Sequence, residues 1–261
     1  MSLMLRNVAR PAARLPTLTA VIIACNEADR IGNCLRALSF CDAIIVVDGG
    51  STDGTIELAR GLGARVVEHK WAGFVAQKRF ALSQAEGDWL LSVDADEVVD
   101  EQLAQSVRQA IGRGEHDGYA LLRRNIWLGH RLRGGFAWPD RHVRLVRREC
   151  ARWEGVDPHD RLVIDGSLGS LSGELVHDSY RSFADHLARI ERYSGIDARP
   201  GNALDILLRP FWHVFSALIV RGGVRDGWAG VFYALMGGFY VALKWGRWRF
   251  DPQSPKSGAA E

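Results

Sequence analysis

Three segments decide the fold of this 261-residue chain: LTAVIIACNE at 18–27, AIIVVDGGSTDGT at 43–55 and WLLSVDADE at 89–97. Each segment begins with an apolar run and ends in polar or acidic residues. Helix-like stretches follow near 30–39, 55–62 and 74–86, and a short strand pattern, RVVE, lies at 65–68. Strands that alternate with helices in this way predict a parallel α/β sheet.

The polar ends of the three segments predict a binding site. In parallel α/β sheets, ligands bind beyond the carboxyl ends of the strands, so these ends should meet at one edge. Asp94 and Asp96 are two carboxylates one residue apart, which can share a hard divalent cation that also holds phosphate oxygens. Taken singly, this acidic pair and the loop 48–55 are equally compatible with turns and helix caps.

The composition is that of a folded globule, with 47% hydrophobic and 25% charged residues, which excludes disordered, collagen-like and low-complexity classes. The four cysteines form no CxxC pair, so we expect free thiols and a reducing cytosol. The net charge of only +2, with no recognised motif, argues against a nucleic-acid partner. Downstream of a predicted helix at 101–111 and a strand at 119–124, the pattern becomes irregular.

Residues 121–152 have a local excess of arginine, because this stretch contains nine arginines and only two acidic residues. Arginine suits phosphate recognition, so this stretch predicts an anionic partner. Two interpretations remain open for Arg123, Arg124, Arg144 and Arg147. They contact phosphates of a donor or acceptor, or they form the solvated face of a strand.

Two apolar segments near the C-terminus suggest contact with a membrane. The segment 204–220 is interrupted by Asp205, Arg209, Pro210 and His213, whereas 227–243 is uncharged, rich in aromatics and followed by basic residues and tryptophans. Both are shorter than the roughly 20 residues of a spanning helix. Their composition favours a segment that lies at the bilayer interface. Helices packed on the main domain, or a spanning hairpin, are the alternatives.

The order of the motifs resembles that of the family-2 glycosyltransferases of the GT-A fold: N-E after the first strand, D-G-G-S-T-D-G-T after the second and D-A-D after the fourth. The resemblance covers about 18–103. It implies an α/β fold of the GT-A type, with a Rossmann-like, mostly parallel sheet and flanking helices. To this the composition adds a C-terminal, aromatic-rich helical segment that associates with a membrane.

The resemblance also implies how a nucleotide-sugar donor is bound. Asn26, Glu27 and Asp48 would lie near its base and ribose. Asp53 belongs to the same donor-binding loop. Lys78, in the helix that follows Gly73, would lie near the base or the diphosphate.

A divalent cation, Mg²⁺ or Mn²⁺, is the implied cofactor. Asp96 would hold it on the diphosphate, and Asp94 would be shared between the ribose and the metal. His177 is predicted to complete the metal shell, because neutral imidazole is a good ligand for Mn²⁺-like ions. A purely local hydrogen bond of His177 is the alternative, and His159 is an equal competitor.

The second half of the chain resembles the lipopolysaccharide-core β-glucosyltransferase branch, through RHVRL at 141–145, PHD at 158–160, GELVH at 173–177 and RGGVRDG at 221–227. Where that branch usually has V-H-E, this chain has P-H-D, with a carboxylate one methylene shorter. An inverting transfer needs a base to take the proton of the acceptor hydroxyl. Asp160 is the predicted base, and Glu97 and Asp140 are rivals.

The predicted function is an inverting transfer of a sugar from a nucleotide-sugar donor, with uridine diphosphate glucose favoured, to a lipid-linked cell-envelope glycan such as the lipopolysaccharide inner core. The protein would work in the cytoplasm, peripherally bound to the inner face of the plasma membrane. One alternative is a nucleotidyltransferase, although residues 24–28, ACNEA, contain no glycine for a phosphate loop. The other is a non-catalytic membrane-binding module, which would leave the acidic loops without a purpose.

The chain is predicted to have four parts. Residues 1–17 form a basic flexible tail that lacks the apolar core of a secretory signal. The glycosyltransferase domain covers 18–200, with a nucleotide-binding half at 18–103 and an acceptor half at 104–200. The interfacial helices occupy 201–250, and 251–261 form a disordered tail.

Overall fold

The computed structural model describes residues 15–157, 159–196, 198 and 201–251. Most of the two predicted tails, and Pro158 of the PHD motif, lie outside the described residues.

The first half of the chain forms the predicted parallel α/β unit. Its strands are β1 (Leu18–Ala24), β2 (Ala43–Asp48), β3 (Arg65–Glu68), β4 (Trp89–Asp94) and the short β5 (Glu97–Val99). Its helices are α1 (Ile31–Ala37), α2 (Thr55–Gly61), α3 (Phe74–Ser83) and α4 (Glu101–Arg113). The first four strands lie parallel in the order β3-β2-β1-β4. The predicted α/β fold class is confirmed, with element bounds within a few residues of those expected.

The second half is more regular than its sequence suggests. Its strands are β6 (Gly118–Trp127), β7 (His130–Arg131), β8 (Asp140–Arg147), β9 (Ala151–Val156), β10 (His159–Ile164) and β11 (Leu168–Asp178). They extend the sheet to the order β3-β2-β1-β4-β8-β6-β11-β5, with β7 beside β6 and a separate β9–β10 hairpin. Strand β8 is antiparallel to both β4 and β6 and so joins the two halves. The prediction that the chain becomes irregular after residue 124 was therefore wrong.

The central strands are buried on both faces, as in other parallel sheets covered by helices. In β1, Leu18 and Ile22 belong to one apolar cluster with residues of α1 and α4. Val21 and Ile23 point to the other face, where α3 and the β9–β10 hairpin cover them. This alternation fixes the register of β1, because a slip of one residue would exchange the two faces.

Three helices complete the chain: α5 (Phe183–Ile196), α6 (Ala203–Phe215) and α7 (Gly227–Phe250). A wider π-helical turn, Ser216–Val220, continues α6. The polar residues expected to interrupt this segment do not end the helix. Asp205 completes a capping box with Asn202, and Arg209 pairs with Asp205 at 2.6 Å.

By length and composition alone, Ala203–Val220 is the single candidate for a membrane-crossing helix in the part of the chain that the structure describes. Its 18 residues have a mean hydropathy of 1.5, and only 6% of the window is buried. The sequence-based expectation that this segment is interrupted is thereby corrected.

The turn between α6 and α7 packs tightly on the loop that precedes β8. A Cβ added to Gly134 would lie 2.5 Å from the carbonyl oxygen of Gly222, and one added to Gly230 would lie 2.0 Å from that of Gly223. We call these four residues the glycine seam. Beside it, the Asp226 carboxylate accepts hydrogen bonds from the backbone N–H groups of residues 133 and 134. The C-terminal helices are thus fixed to the sheet domain by backbone contacts.

Candidate active site

A cavity of about 990 Å³ opens where β1, β4 and β11 end. Its walls contain seven of the ten predicted site residues: Asn26, Glu27, Lys78, Asp94, Asp96, Asp160 and His177. Asp48, Asp53 and Glu97 do not line it. The cavity continues beyond the strand ends to helices α5, α6 and α7.

The N-E motif enters the cavity through a loop that the D-G-G-S-T-D-G-T segment supports. Asn26 has a positive φ of 58°, which asparagine tolerates better than most residues. Its side-chain oxygen accepts the Thr52 N–H at 2.9 Å, and its own N–H donates to Ser51. The Glu27 N–H donates to Thr55 at 2.9 Å. The two strand-end loops therefore form one cross-linked rim.

Asp48 and Asp53, both predicted to bind the donor, lie in the rim loops and outside the cavity lining. The Asp48 carboxylate is fully buried and accepts hydrogen bonds from the N–H groups of residues 50 and 51 and from the Ser51 hydroxyl. Asp53 accepts from Thr55 and from the N–H of Ala28. Both carboxylates accept hydrogen bonds from groups of the rim loops, so they hold the shape of these loops from outside the cavity.

Glu27 is held by two arginines at the cavity rim. Its Oε2 lies 2.5 Å from Arg30 and 2.9 Å from Arg181. Burial raises the pKa of Glu27, and the two arginines only partly oppose this effect. A carboxylate so engaged can position these arginines toward an anionic ligand.

Asp94 sits between two cations. Its carboxylate lies 2.8 Å from Arg144 and 3.1 Å from the Lys78 ammonium. Burial alone would raise the pKa of Asp94, but Arg144 and Lys78 outweigh it and hold the pKa well below its usual range. The charge of Asp94 is thus compensated twice, and its carboxylate holds Lys78 at the cavity wall.

Asp96 and His177 form a pair suited to a cation. The Asn125 amide nitrogen donates to Ala137 O and Asp140, which identifies its oxygen as the atom that faces His177 Nδ1 at 2.8 Å. Nδ1 therefore carries a proton, and in the neutral ring the lone pair of Nε2 lies 3.5 Å from Asp96 Oδ2. The Ser179 hydroxyl, 3.0 Å from Nε2, and Arg30, 3.6 Å from Asp96 Oδ2, are the other polar groups beside this pair.

The pair fits the predicted metal by its donor chemistry. A carboxylate oxygen and an imidazole nitrogen suit Mn²⁺, and metal-binding histidines usually donate their other N–H to a neighbour, as His177 does. Burial would raise the pKa of Asp96, but when the His177 ring is protonated its hydrogen bond and charge outweigh the effect of burial and lower the pKa. Among the described residues, no group of three or more His, Cys, Asp or Glu surrounds one point. Within that part of the chain, Asp96 and His177 are the pair whose donor atoms suit the metal.

Asp160 lies across the cavity and is held by Lys78. The Lys78 Nζ is 2.9 Å from Asp160 Oδ2 and 4.8 Å from the centre of the Trp153 ring. The position of Asp160 depends on a helix cap: the Asp157 carboxylate accepts the N–H groups of residues 74 and 75 at the start of α3. This cap ties the β9–β10 hairpin to the helix that carries Lys78.

The two rival bases are placed elsewhere. Glu97 is fully buried, and its carboxylate lies 2.9 Å from Arg144 and 3.4 Å from Arg123. Asp140 also pairs with Arg123 at 2.7 Å; burial would raise its pKa, but His142 and Arg123 hold it far below the usual range. Neither Glu97, a predicted catalytic residue, nor Asp140 lines the cavity. Of the three, only Asp160 faces the cavity.

The arginine-rich stretch fits neither of its two interpretations as a whole. Arg144 is 4% exposed, so it is not part of a solvated face. Its guanidinium pairs with the carboxylates of Asp94 and Glu97. Arg124 pairs with Glu174 at 3.2 Å, and Arg147 lies 3.4 Å from an Asp117 oxygen. Acids from distant segments therefore neutralise much of the local excess.

Sequence reasoning missed the helical side of the cavity. Tyr180, His186, Tyr193, Tyr233 and Tyr240 all line it. They come from α5, from the turn before it and from α7. Two of them, Tyr233 and Tyr240, lie in the aromatic-rich C-terminal segment, for which membrane contact was the favoured interpretation and packing on the main domain an alternative.

Comparisons with known proteins identify a family for this chain. The family model described as Glycosyl transferase family 2 matches residues 19–133. The chain is similar to the lipopolysaccharide core biosynthesis glycosyltransferase LpsC of Rhizobium meliloti (strain 1021), with 30% identity over 247 residues, 88% of this chain and 90% of LpsC. It is 36% identical over 224 residues to the uncharacterized glycosyltransferase RC0292 of Rickettsia conorii (strain ATCC VR-613 / Malish 7), which is 78% of this chain and 79% of that protein.

Among solved structures, one similar chain is glucosyl-3-phosphoglycerate synthase from Mycobacterium tuberculosis, crystallised with Mn²⁺, uridine diphosphate and glucosyl-3-phosphoglycerate. It has 24% sequence identity and a TM-score of 0.36, over 44% of this chain and 45% of that one.

Proposed function

The chain belongs to glycosyl transferase family 2, and on this premise we propose that it is an inverting enzyme that transfers glucose from uridine diphosphate glucose to a lipid-linked cell-envelope glycan. The proposed acceptor is the lipopolysaccharide inner core, in line with the printed name of the relative LpsC. The proposed location is the cytoplasm, at the inner face of the plasma membrane. Family membership identifies a glycosyltransferase. It therefore argues against the two alternative functions, a nucleotidyltransferase and a non-catalytic membrane-binding module.

One observation carries the proposal. The Asp96–His177 pair and the Lys78–Asp160 pair line the same cavity at the carboxyl ends of the strands. The first pair is suited to a cation on a diphosphate, and the second joins a candidate base to a positive charge. A glycosyl transfer that expels a diphosphate needs both functions in one place.

Asp96 and His177 are the residues that would hold Mg²⁺ or Mn²⁺. Such a cation supplies charge stabilisation to the leaving diphosphate. Carboxylate and imidazole are both acceptable to Mn²⁺, whereas Mg²⁺ prefers oxygen alone, so the donor set favours Mn²⁺. Oxygen atoms of the nucleotide and water would complete the shell, because the chain offers only two ligands among its described residues.

In the proposed reaction, Asp160 accepts the proton of the acceptor hydroxyl while that oxygen attacks the anomeric carbon. The bond from that carbon to the diphosphate oxygen breaks, and its electron pair leaves with uridine diphosphate. Lys78 contacts both Asp160 and Asp94 and lines the cavity, so it is positioned to donate to a diphosphate oxygen. When it does so, the Asp160 oxygen that Lys78 contacted becomes available to accept the proton.

The proposed contact with the bilayer is the outer face of α6. Its large apolar side chains recur every three or four residues and each is at least half exposed: Leu204, Leu207, Leu208, Phe211, Trp212, Phe215 and Ile219. A helix on the surface of a water-soluble protein normally packs such an apolar stripe against the protein core. A contiguous exposed apolar stripe of this kind is typical of a membrane or protein contact.

The function is tested by calorimetric titration of a panel of nucleoside-diphosphate sugars, with and without Mn²⁺, into wild type and Asp96→Asn. We expect one sugar nucleotide to bind in Mn²⁺ and the affinity to fall roughly tenfold or more in the variant. Asp165→Asn is the matched control, because Asp165 is an exposed carboxylate paired with Arg152 far from the cavity lining. Equal binding by all three proteins, or binding that ignores the metal, contradicts the proposed site.

A further inference from the structure

The cavity is larger than the donor site at the strand ends. We call its remaining part the helical lobe: it is lined by residues of α5, α6 and α7, including His186, Ala188, His213 and Tyr233. The total volume of about 990 Å³ lies at the upper end of the range that encloses one small ligand. The cavity therefore has room for the donor and for the reacting end of a second substrate.

His186 presents a hydrogen-bond donor of fixed identity to the helical lobe. The indole N–H of Trp127 donates to His186 Nδ1 at 3.0 Å. Indole nitrogen is only a donor, so Nδ1 is an unprotonated acceptor and the proton of the neutral ring resides on Nε2. Within the described residues, no hydrogen bond of Nε2 is present. Nε2–H is thus available to an oxygen atom of a ligand.

Two tyrosines frame this donor. The Tyr180 ring lies 4.1 Å from the His186 ring centre, and Tyr233 is stacked on His186 at 6.1 Å. Both tyrosines line the cavity. Apolar ring faces beside a fixed hydrogen-bond donor are the chemistry with which proteins bind carbohydrate rings, since a sugar has both apolar faces and hydroxyl oxygens.

The helical lobe also lies on the inner side of the helix whose outer face carries the apolar stripe. His213 and Ala217 of the α6 segment line the cavity, while Phe211, Trp212 and Phe215 on the same segment are at least half exposed on the outside. One helix wall therefore separates the lobe from the apolar stripe. A substrate with a sugar end and a lipid end can place the first in the lobe and the second along the stripe.

We infer that the helical lobe is the acceptor subsite, and that His186 Nε2–H binds an oxygen atom of the acceptor sugar. This inference rests on the proposed function and adds to it the residues that choose the acceptor. Tyr180 and Tyr233 support the sugar ring at the same place.

The inference is tested by filling the lobe. Ala188 on α5 lines the cavity and is exposed, so Ala188→Trp places a large ring in the lobe without disturbing the core. Ala184→Trp is the matched control, because Ala184 is exposed one turn earlier on α5 and does not line the cavity. The assay measures glucose transfer from radiolabelled uridine diphosphate glucose, in Mn²⁺, to micellar lipopolysaccharide that ends at the inner-core heptose. Hydrolysis of the same donor by water is measured in parallel.

We expect Ala188→Trp to raise the acceptor KM at least about tenfold, with donor hydrolysis and donor affinity unchanged, and Ala184→Trp to behave as wild type. A second variant, His186→Phe, should raise the acceptor KM roughly 3- to 10-fold with little change in kcat, which indicates a lost binding contact. His186→Gln, which can accept from Trp127 and donate to the ligand, should restore part of the loss.

The outcomes separate the two proposals. If wild type transfers glucose and Ala188→Trp has the acceptor KM of Ala184→Trp, the acceptor subsite is wrong and the transferase function stands. If His186→Phe lowers donor hydrolysis and transfer equally, His186 is a structural residue only and its assignment fails. If wild type neither binds the donor nor transfers glucose, the proposed function fails and the subsite fails with it.

Discussion

At the scale of single residues, Lys78 is the link between the two sides of the reaction centre. It contacts Asp94, which belongs to the strand-end motif, and Asp160, which belongs to the β9–β10 hairpin. One ammonium group thus holds two carboxylates that arise 66 positions apart in the sequence, at 94 and 160. A ligand phosphate that draws Lys78 toward itself changes the surroundings of both carboxylates at once.

Replacement of the proposed base gives the first prediction. Asp160→Asn keeps the shape of the side chain but cannot take a proton, so we expect kcat for transfer to fall about 10²- to 10⁴-fold. Donor affinity, measured by calorimetry, should change little. The matched control is again Asp165→Asn on the same hairpin, which should transfer as wild type does. An Asp160→Asn enzyme with near-normal kcat would remove Asp160 from the mechanism.

The buried ring of His186 predicts a pH dependence of stability. Burial and the charge of Arg189 lower the pKa of His186 to about 4, against the opposing charge of Asp185, whereas in an unfolded chain the value is about 6.5. As pH falls, the unfolded chain binds the proton first. The contribution to stability is therefore complete above about pH 6.5 and is lost progressively down to pH 4.

Urea unfolding at pH 7.5 and 5.0 measures this effect. Between these values, wild type should lose about 2 kcal/mol more of its free energy of unfolding than His186→Gln does, because the variant lacks the titrating ring. The other histidines contribute equally to both proteins and cancel. The same loss in both would show that His186 is not held neutral by its surroundings.

Which site residues were predictable follows from what surrounds them. Asp94, Asp96 and Asn26 directly follow strands, and parallel strands bring their ends together whatever the details of packing. The bonds of Asp48 to residues 50 and 51 are local, and a local cap and a ligand contact look alike in sequence, so the sequence did not show that Asp48 lies outside the cavity lining. The Glu97 carboxylate pairs with Arg144, and the antiparallel pairing that brings the strand of Arg144 beside β4 was not predicted.

At the scale of elements, the cap on α3 controls the geometry of the reaction centre. Asp157 satisfies two N–H groups at the start of α3 from a residue in the β9–β10 connection. The φ of Gly73 is 102°, and a Cβ at that position would lie 2.1 Å from the Asp157 carboxylate, so only glycine admits this approach. The helix that carries Lys78 and the hairpin that carries Asp160 are thereby held together.

Removal of this cap is the third prediction. Asp157→Ala should destabilise the protein by about 1 kcal/mol, the usual cost of a lost N-cap, and should also lower kcat for donor hydrolysis. Asn202→Ala is the matched control, because Asn202 caps α6 in the same way and is remote from Asp160 in the chain. We expect the control to lose similar stability, measured by urea unfolding, and to keep its rate of hydrolysis. Equal rates in both variants would separate the cap from catalysis.

In the second half of the chain, local sequence patterns do not predict how the strands pair. Strand β8 reads DRHVRLVR, with charged residues at both ends and in the middle. Its place in the sheet depends on pairing with β4 and β6, and on Arg144 finding Asp94 and Glu97. Long-range partners of this kind override local preference, whereas the first half follows local periodicity closely.

At the scale of the whole molecule, the exposed stripe on α6 sets the prediction for membrane binding. Wild type should float with anionic phospholipid vesicles in a density gradient. A triple variant, Leu208→Glu, Phe211→Glu and Phe215→Glu, should remain at the bottom, because each loses about 1.5 to 3 kcal/mol of apolar burial in the bilayer interface.

The control for this experiment carries the same charge change elsewhere. Leu62→Glu, Val156→Glu and Leu168→Glu replace three exposed apolar side chains outside the stripe and should float as wild type does. Extraction of wild-type vesicles at alkaline pH then distinguishes the modes of binding. Release into the supernatant agrees with a helix that lies on the surface, whereas retention in the pellet contradicts it and favours a spanning α6.

The glycine seam constrains how proteins with this architecture can diverge. Positions 134, 222, 223 and 230 bear no charge and take no part in the proposed chemistry, yet the backbones there leave no space for even one additional carbon atom at 134 or 230. We expect the walls of the cavity to accept substitutions that exchange one sugar preference for another, while these positions tolerate almost none. New specificities would then arise by substitutions in the cavity walls, while the packing of the C-terminal helices on the sheet domain stays the same.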